Sequence, residues 1–123
     1  MKIRIKGNSI RIRLTKSEVD IFGSKGFIEE HTEFGTTQLS YALKQNNQPS
    51  MSAVFENNKV TVLMPTVWAE EWLATERVGY ENNIPLLNGK ELYVLVEKDF
   101  VCLDNTTEDQ SDNYPNPMAE FHQ

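Results

Sequence analysis

The sequence predicts an α+β fold, mainly antiparallel sheet, built as duplicated ββαββ halves with about eight strands and two helices. Three observations predict it. Short runs alternate apolar and polar residues across two-residue turns, and two stretches switch to helical spacing. The second half also repeats the first at an offset of 50 residues. A strongly twisted sheet of this kind is expected to curl, either half-open or closed into a barrel-like form, with an irregular C-terminal strap behind it.

The opening "MKIRIKGNSIRIRL" reads as a β-hairpin. Its apolar residues sit at 3 and 5, then at 10, 12 and 14, so the parity changes at Gly7-Asn8, a pair suited to a type I′ or II′ turn. That register pairs Ile5 with Ile10, Ile3 with Ile12 and Met1 with Leu14 on one face. The other face sets Lys6 against Ser9, Arg4 against Arg11 and Lys2 against Arg13, and like charges so placed repel unless an anion joins them. "TKSEVDIFGSKG" then reads as a helix. Thr15 and Glu18 make a capping box, Leu14 and Val19 a hydrophobic staple, and Gly26 is the residue past its end. Val19 and Phe22 face the core. "FIEEHTEF" and "TTQLSYALKQ" read as strands, and "QNNQPS" as a polar joint.

The second half follows the same plan. "MSAVFENNKVTVLM" is a hairpin turning at Asn57-Asn58, with Phe55 opposite Val60 and Ala53 opposite Val62. "PTVWAEEWLATE" is a helix with Pro65 near its start and Trp68 and Trp72 four residues apart. "RVGYE" reads as a short strand, "NNIPLLNGK" as a loop, and "ELYVLVEKDF" as the most apolar strand. Laid over the first half, Met51 falls on Met1, Phe55 on Ile5, Trp72 on Phe22 and Val78 on Ile28. A gap of three residues then places Leu92, Val94 and Val96 on Leu39, Tyr41 and Leu43. Any two hairpin–helix segments can be laid together this way, so the duplication stands here as an expectation. The expected organisation is one domain over 1–103, with halves 1–48 and 51–98, and an acidic extension 104–123 docked on it.

Composition narrows the function classes. The chain has 123 residues, 39% of them hydrophobic, which suffices for one core without staples. No apolar run approaches the roughly 18 residues that span a bilayer, and the charged start lacks the apolar segment of a signal peptide. A single cysteine fits a reducing cytoplasm, and one cysteine with two histidines leaves little material for a zinc site. The net charge of −6 is unevenly spread: residues 1–98 are neutral, and residues 99–123 hold six acids and no Lys or Arg. General nucleic-acid binding is therefore not expected.

The segments "MKIRIKGNSIRIRLTKSEV", "FENNKVTV" and "VEKDFVCLDNTTEDQSDNYPNP" resemble a family of small uncharacterised bacterial proteins, a domain of unknown function, over the length of the chain. The resemblance implies a cytoplasmic bacterial protein of one domain and brings no activity, cofactor or catalytic residue.

Two groups of residues are candidates for function. Lys2, Arg4, Lys6, Arg11 and Arg13 form a cationic hairpin face able to take an anion or partner, or else neutralised by the protein's own acids. Asp104, Glu108, Asp109 and Asp112 form the acidic segment, in which "DNTTEDQSD" lacks the alternating ligands and central glycine of a calcium loop. The apolar residues Phe100, Val101, Leu103, Tyr114, Met118 and Phe121 are spaced as anchors for a strap. Cys102 sits between apolar neighbours without a motif partner among His31 and His122, and "FGSKG" lacks phosphate-loop spacing. Glu29-Glu30 and Glu70-Glu71 read as solvated faces.

No cofactor and no catalytic or metal residue is expected. The sequence therefore leans away from an enzyme and toward a non-catalytic binding or interaction module. The alternatives are an enzyme taking phosphate ligands in a charge-lined curled sheet, and a self-assembling protein whose tail docks on another copy's hairpin. An anionic ligand, a protein partner and a homo-oligomer all stay open.

Overall fold

A computed structural model describes residues 1–101 and 109–116. Its elements run β1 (Lys2–Lys6), β2 (Ser9–Leu14), α1 (Lys16–Lys25), β3 (Phe27–Glu33), β4 (Gln38–Asn46), β5 (Ser52–Glu56), β6 (Lys59–Pro65), α2 (Thr66–Ala74), β7 (Gly79–Pro85) and β8 (Glu91–Lys98). The eight strands form two separate four-stranded sheets, ordered β1-β2-β8-β7 and β3-β4-β6-β5, and no barrel closes. Hairpin neighbours are antiparallel, whereas the central pairs β2–β8 and β4–β6 are parallel.

Each sheet therefore joins a hairpin of one half to a hairpin of the other. The pattern is a pseudo-two-fold exchange, and the registers obey it. Ile10 faces Val94 and Ile12 faces Val96 in one sheet; Val60 faces Tyr41 and Val62 faces Leu43 in the other. These are the pairs that the internal repeat equates. The first hairpin keeps the register read from parity, with Ile5 on Ile10, Arg4 on Arg11 and Lys2 on Arg13. Of its turn residues only Gly7 has positive φ, the type II′ pattern, whereas Asn57 and Asn58 both do, the type I′ pattern.

Two expectations are corrected. Ile28 corresponds to Tyr80 and not to Val78, because Ile28 faces Leu43 as Tyr80 faces Val96. The extra residues thus enter in two places, before β7 and in the turn after it. The stretch "NNIP" is strand and not loop: β7 continues to Pro85, with Ile84 opposite Leu92. A proline is tolerated there because β7 is an edge strand and Pro85 ends it.

The core gathers along the pseudo-axis. Phe22 of α1 and Trp72 of α2, equivalent in the repeat and both fully buried, meet edge-to-face with ring centroids 6.1 Å apart. Beneath them lie Ile12, Leu14, Leu43, Val62, Met64, Val94 and Val96, none with exposed surface. Gly79 breaks the symmetry, standing where the first half has Phe27. A Cβ there would lie 2.2 Å from the Val96 carbonyl oxygen and 2.8 Å from the Glu97 Cα, and backbone cannot give way. Trp72 Nε1 donates to the Val78 carbonyl just before it, at 3.1 Å, which satisfies the buried indole.

One end of the core is pinned by charge. The Met1 ammonium is buried and paired with Glu18, and with Glu30 at 2.9 Å. Glu18 also closes the capping box with Thr15, accepting the Thr15 N–H at 2.9 Å. Burial raises the Glu18 pKa, but hydrogen bonds from the ammonium and Thr15, with the ammonium's attraction, outweigh it and hold the carboxyl below its ordinary value of 4.5. Tyr41 donates to Glu30 at 2.9 Å; burial first, and then this carboxylate, push its phenol up to about 12.

Three outcomes are expected. Trp72→Ala costs about 3–5 kcal/mol in urea unfolding, the range for truncating a buried aromatic ring. Gly79→Ala costs about 1–3 kcal/mol in urea unfolding, by overpacking against the backbone of β8. The third concerns acid. Between the folded and unfolded pKa values of Glu18 only the unfolded chain binds the proton. Its stabilisation is therefore present above pH 4.5 and lost as pH falls through the lower, folded value. Melting curves of the parent protein and Glu18→Gln should differ at neutral pH and converge below that window.

Candidate functional site

Four strands present the outer face of the first sheet. Alternation along β1 and β2 places Lys2, Arg4, Lys6, Ser9, Arg11 and Arg13 on it, and β8 adds Tyr93, Leu95 and Glu97 in register. Glu97 stands beside Arg13 and serves two guanidinium groups with one oxygen: Arg11 Nη2 at 2.5 Å and Arg13 Nε at 2.9 Å both reach Oε1. Asp99, just past β8, is buried, and its Oδ2 lies 3.2 Å from Lys2 Nζ. That oxygen accepts no aligned hydrogen bond, so the Lys2 contact is charge attraction without donor geometry.

Arg4 and Lys6 are different. Both are exposed on the edge strand, and no acid pairs with either among the described residues. They border a shallow recess of about 210 Å³ with Ser9, Arg11, Tyr93 and Leu95. The Tyr93 hydroxyl donates to Glu81, a bond that raises its pKa and keeps the phenol neutral. The face thus has a neutralised side toward β8, Lys2 held by Asp99 at one end of β1, and Arg4 and Lys6 further along β1 without an acid partner among the described residues.

Of the acidic segment, the described residues Asp109 and Asp112 lie elsewhere. Asp112 sits at the N-terminus of α1, where its carbonyl accepts the Lys16 N–H at 3.0 Å and its carboxylate accepts the N–H and hydroxyl of Ser17. An anion at the free N–H groups of a helix start is favourable, and the Ser17 hydroxyl leads in holding the Asp112 pKa down. Asp109 accepts the Ser111 N–H at 2.9 Å within its own turn. Asp104 and Glu108 lie outside the described residues, as do Cys102, Leu103, Met118, Glu120, Phe121 and His122. Between those stretches Tyr114 anchors the segment: its N–H donates to the Asp99 carbonyl at 2.8 Å and its carbonyl accepts from Val101 at 2.7 Å. Its ring leans on Phe100 at 5.8 Å between centroids.

That anchoring closes one side of a cavity of about 370 Å³ at the end of α2. Val78, Phe100, Tyr114 and Pro115 give it apolar walls, Thr75 and Lys98 add polar groups, and Glu76 lies exposed at its rim. Lys98 is 6% exposed, and its ammonium donates to the Thr75 carbonyl at 2.9 Å and lies 5.3 Å from the Tyr114 ring centre. Burial lowers its pKa, and the Glu76 carboxylate pulls the other way. Sequence reading missed this lysine, because a charge ending an apolar strand looks like a solvated terminus.

The remaining candidates are structural. Trp68 stacks on Tyr80 at 5.2 Å, and Tyr80 donates to Glu71 at 2.6 Å. Burial, then that carboxylate, push the Tyr80 phenol up to about 12. Of the glutamates read as solvated, Glu70 is exposed and Glu29, Glu30 and Glu71 are engaged. Glu30 holds the Met1 ammonium, and Glu29 pairs with Lys59 at 2.6 Å. His31 bonds Ser40 at 2.7 Å. No three metal-ligating side chains cluster, and no helix is long and apolar enough to cross a membrane, among the described residues.

No curated protein and no solved structure matches the chain. The model of a family of unknown function, DUF7009, matches residues 1–118, and the chain belongs to that family.

Proposed function

We propose that this protein is a non-catalytic interaction module that receives an anionic partner on the β1 edge of its first sheet. One observation carries the reading: Arg4 and Lys6 have no acid partner among the described residues, while their neighbours Arg11 and Arg13 share Glu97. Opposed like charges are unfavourable within a hairpin, so the face gains free energy when an outside anion lies across it. The recess beside them is shallow, and the face is an exposed sheet surface. That geometry suits carboxylates or phosphates carried by a larger partner better than a free small molecule. Arginine adds a bidentate fork for either group. The setting assumed is the reducing cytoplasm of a bacterium, on the strength of the single cysteine.

The test measures binding of a fluorescent oligoglutamate peptide and of inorganic tripolyphosphate at low and high salt. The parent protein should bind at least one of them, more weakly as salt screens the charges. R4Q/K6Q should lose about tenfold or more, since charge-assisted bonds contribute about 1.5–3 kcal/mol each. K25Q/K90Q, which removes exposed cations elsewhere, should bind as the parent does. The peptide-against-phosphate ratio tells which anion the face prefers. No binding of either probe, or equal binding by R4Q/K6Q, sinks the proposal.

A further inference from the structure

The repeat makes an internal comparison of Lys98 available. Its equivalent in the first half is Gln45, since Gln45 faces Met64 as Lys98 faces Leu14. The two side chains share a register and each donates to a carbonyl near a helix end, though not to equivalent residues, since Phe22 answers to Trp72. Gln45 Nε2 donates to the Phe22 carbonyl at the end of α1 at 3.1 Å, and Lys98 Nζ donates to the Thr75 carbonyl at the end of α2 at 2.9 Å. Their backbones match too: the Gln45 N–H donates to Gly26 O at 2.8 Å and the Lys98 N–H to Val78 O at 2.9 Å. A neutral amide therefore serves at this strand position in the first half. The positive charge at Lys98 is surplus to that task, and a buried charge is costly unless something compensates it.

Nothing described compensates it fully. The ammonium has one hydrogen bond and a ring contact, and no carboxylate pairs with it among the described residues. Thr75 and Tyr114, its two contacts, are themselves walls of the cavity, so the ammonium stands at the cavity wall and not behind it. Apolar and aromatic walls with a few placed polar groups, here the charges of Lys98 and Glu76, are the usual make-up of a small-molecule site, and about 370 Å³ lies within its usual size range. We infer that the cavity between the end of α2 and the Tyr114 segment binds a small monocarboxylate with an aromatic or apolar body, its carboxylate on Lys98 and its body between Phe100, Tyr114 and Val78. Glu76 at the rim sets the charge: it repels a second anionic group, which disfavours phosphate monoesters and dicarboxylates. The site is separate from the β1 edge, and neither reading needs the other.

Benzoate is the probe, followed by amide NMR titration of the full chain, with benzyl alcohol and phthalate as comparisons. Benzoate should shift the amides of residues 75–78, 98–100 and 114 saturably. Benzyl alcohol, without the charge, and phthalate, with two, should bind about tenfold more weakly or worse. Lys98→Gln is the decisive variant, because it places the amide of Gln45 at the equivalent strand position and removes the charge. It should melt as the parent does and lose the benzoate response, while R4Q/K6Q keeps it. Absence of saturable shifts at these residues, or an unchanged response in folded Lys98→Gln, overturns the inference. If Lys98→Gln unfolds, Tyr114→Ala replaces it; a benzoate response that survives there also overturns the inference.

Discussion

β2 runs parallel to β8 and β4 parallel to β6, and in each pair one strand comes from each half of the chain. Neither half can complete a four-stranded sheet alone. The central strands need neighbours on both sides, and for β2 the second neighbour lies about eighty residues away in sequence. The helices follow from the same constraint. Each links a hairpin of one sheet to a hairpin of the other, so both converge where the sheets face each other, and Phe22 meets Trp72 there. Pairing at such separation carries loop-closure entropy that only the finished core recovers. The residues that recover it, Val94 and Val96 from one half against Ile10 and Ile12 from the other, are the most apolar alternations in the chain.

Local chemistry was legible in the sequence, and non-local pairing was not. Gly7-Asn8 and Asn57-Asn58 announced their turns because positive φ needs those residue types. The Thr15–Glu18 box and Gly26 announced the ends of α1 for similar reasons. Register within hairpins followed from parity, since a one-residue slip would turn every apolar side chain outward. No local signal, however, tells β2 to choose β8. The strand at Asn82–Pro85 was missed because Asn82 interrupts its apolar alternation; the structure shows why, its amide donating to the Met51 carbonyl at 2.9 Å.

The charge layout was legible only as totals. Cations cluster in the first hairpin and acids from Asp99 onward; among the described residues of that acidic stretch, Asp99 meets the hairpin, at Lys2. The described tail acid with the most partners, Asp112, caps α1, where backbone N–H groups outcompete a mobile side-chain cation because they are already fixed in place. The hairpin instead draws on Glu97 and Asp99 at the end of β8, acids set beside it by strand pairing. The parallel pairing that builds the core therefore also helps decide which cations are neutralised: Asp99 reaches Lys2 at the start of β1, and Arg4 and Lys6, further along that strand, have no acid partner among the described residues.

Internal symmetry then separates what the fold requires from what it does not. Positions that hold the halves together keep their character: Met1 and Met51, Ile12 and Val62, and Phe22 and Trp72 are all buried. On the outer face the halves part company. Arg4, Lys6, Arg11 and Arg13 stand where the second hairpin carries Val54, Glu56, Thr61 and Leu63. Both hairpins keep the same register on a second sheet strand, so the scaffold tolerates either set, and the cationic one is not dictated by folding. Lys98 against Gln45 is the same contrast inside a cavity. These two contrasts, at an exposed edge and beside a cavity, are what the proposed binding sites rest on.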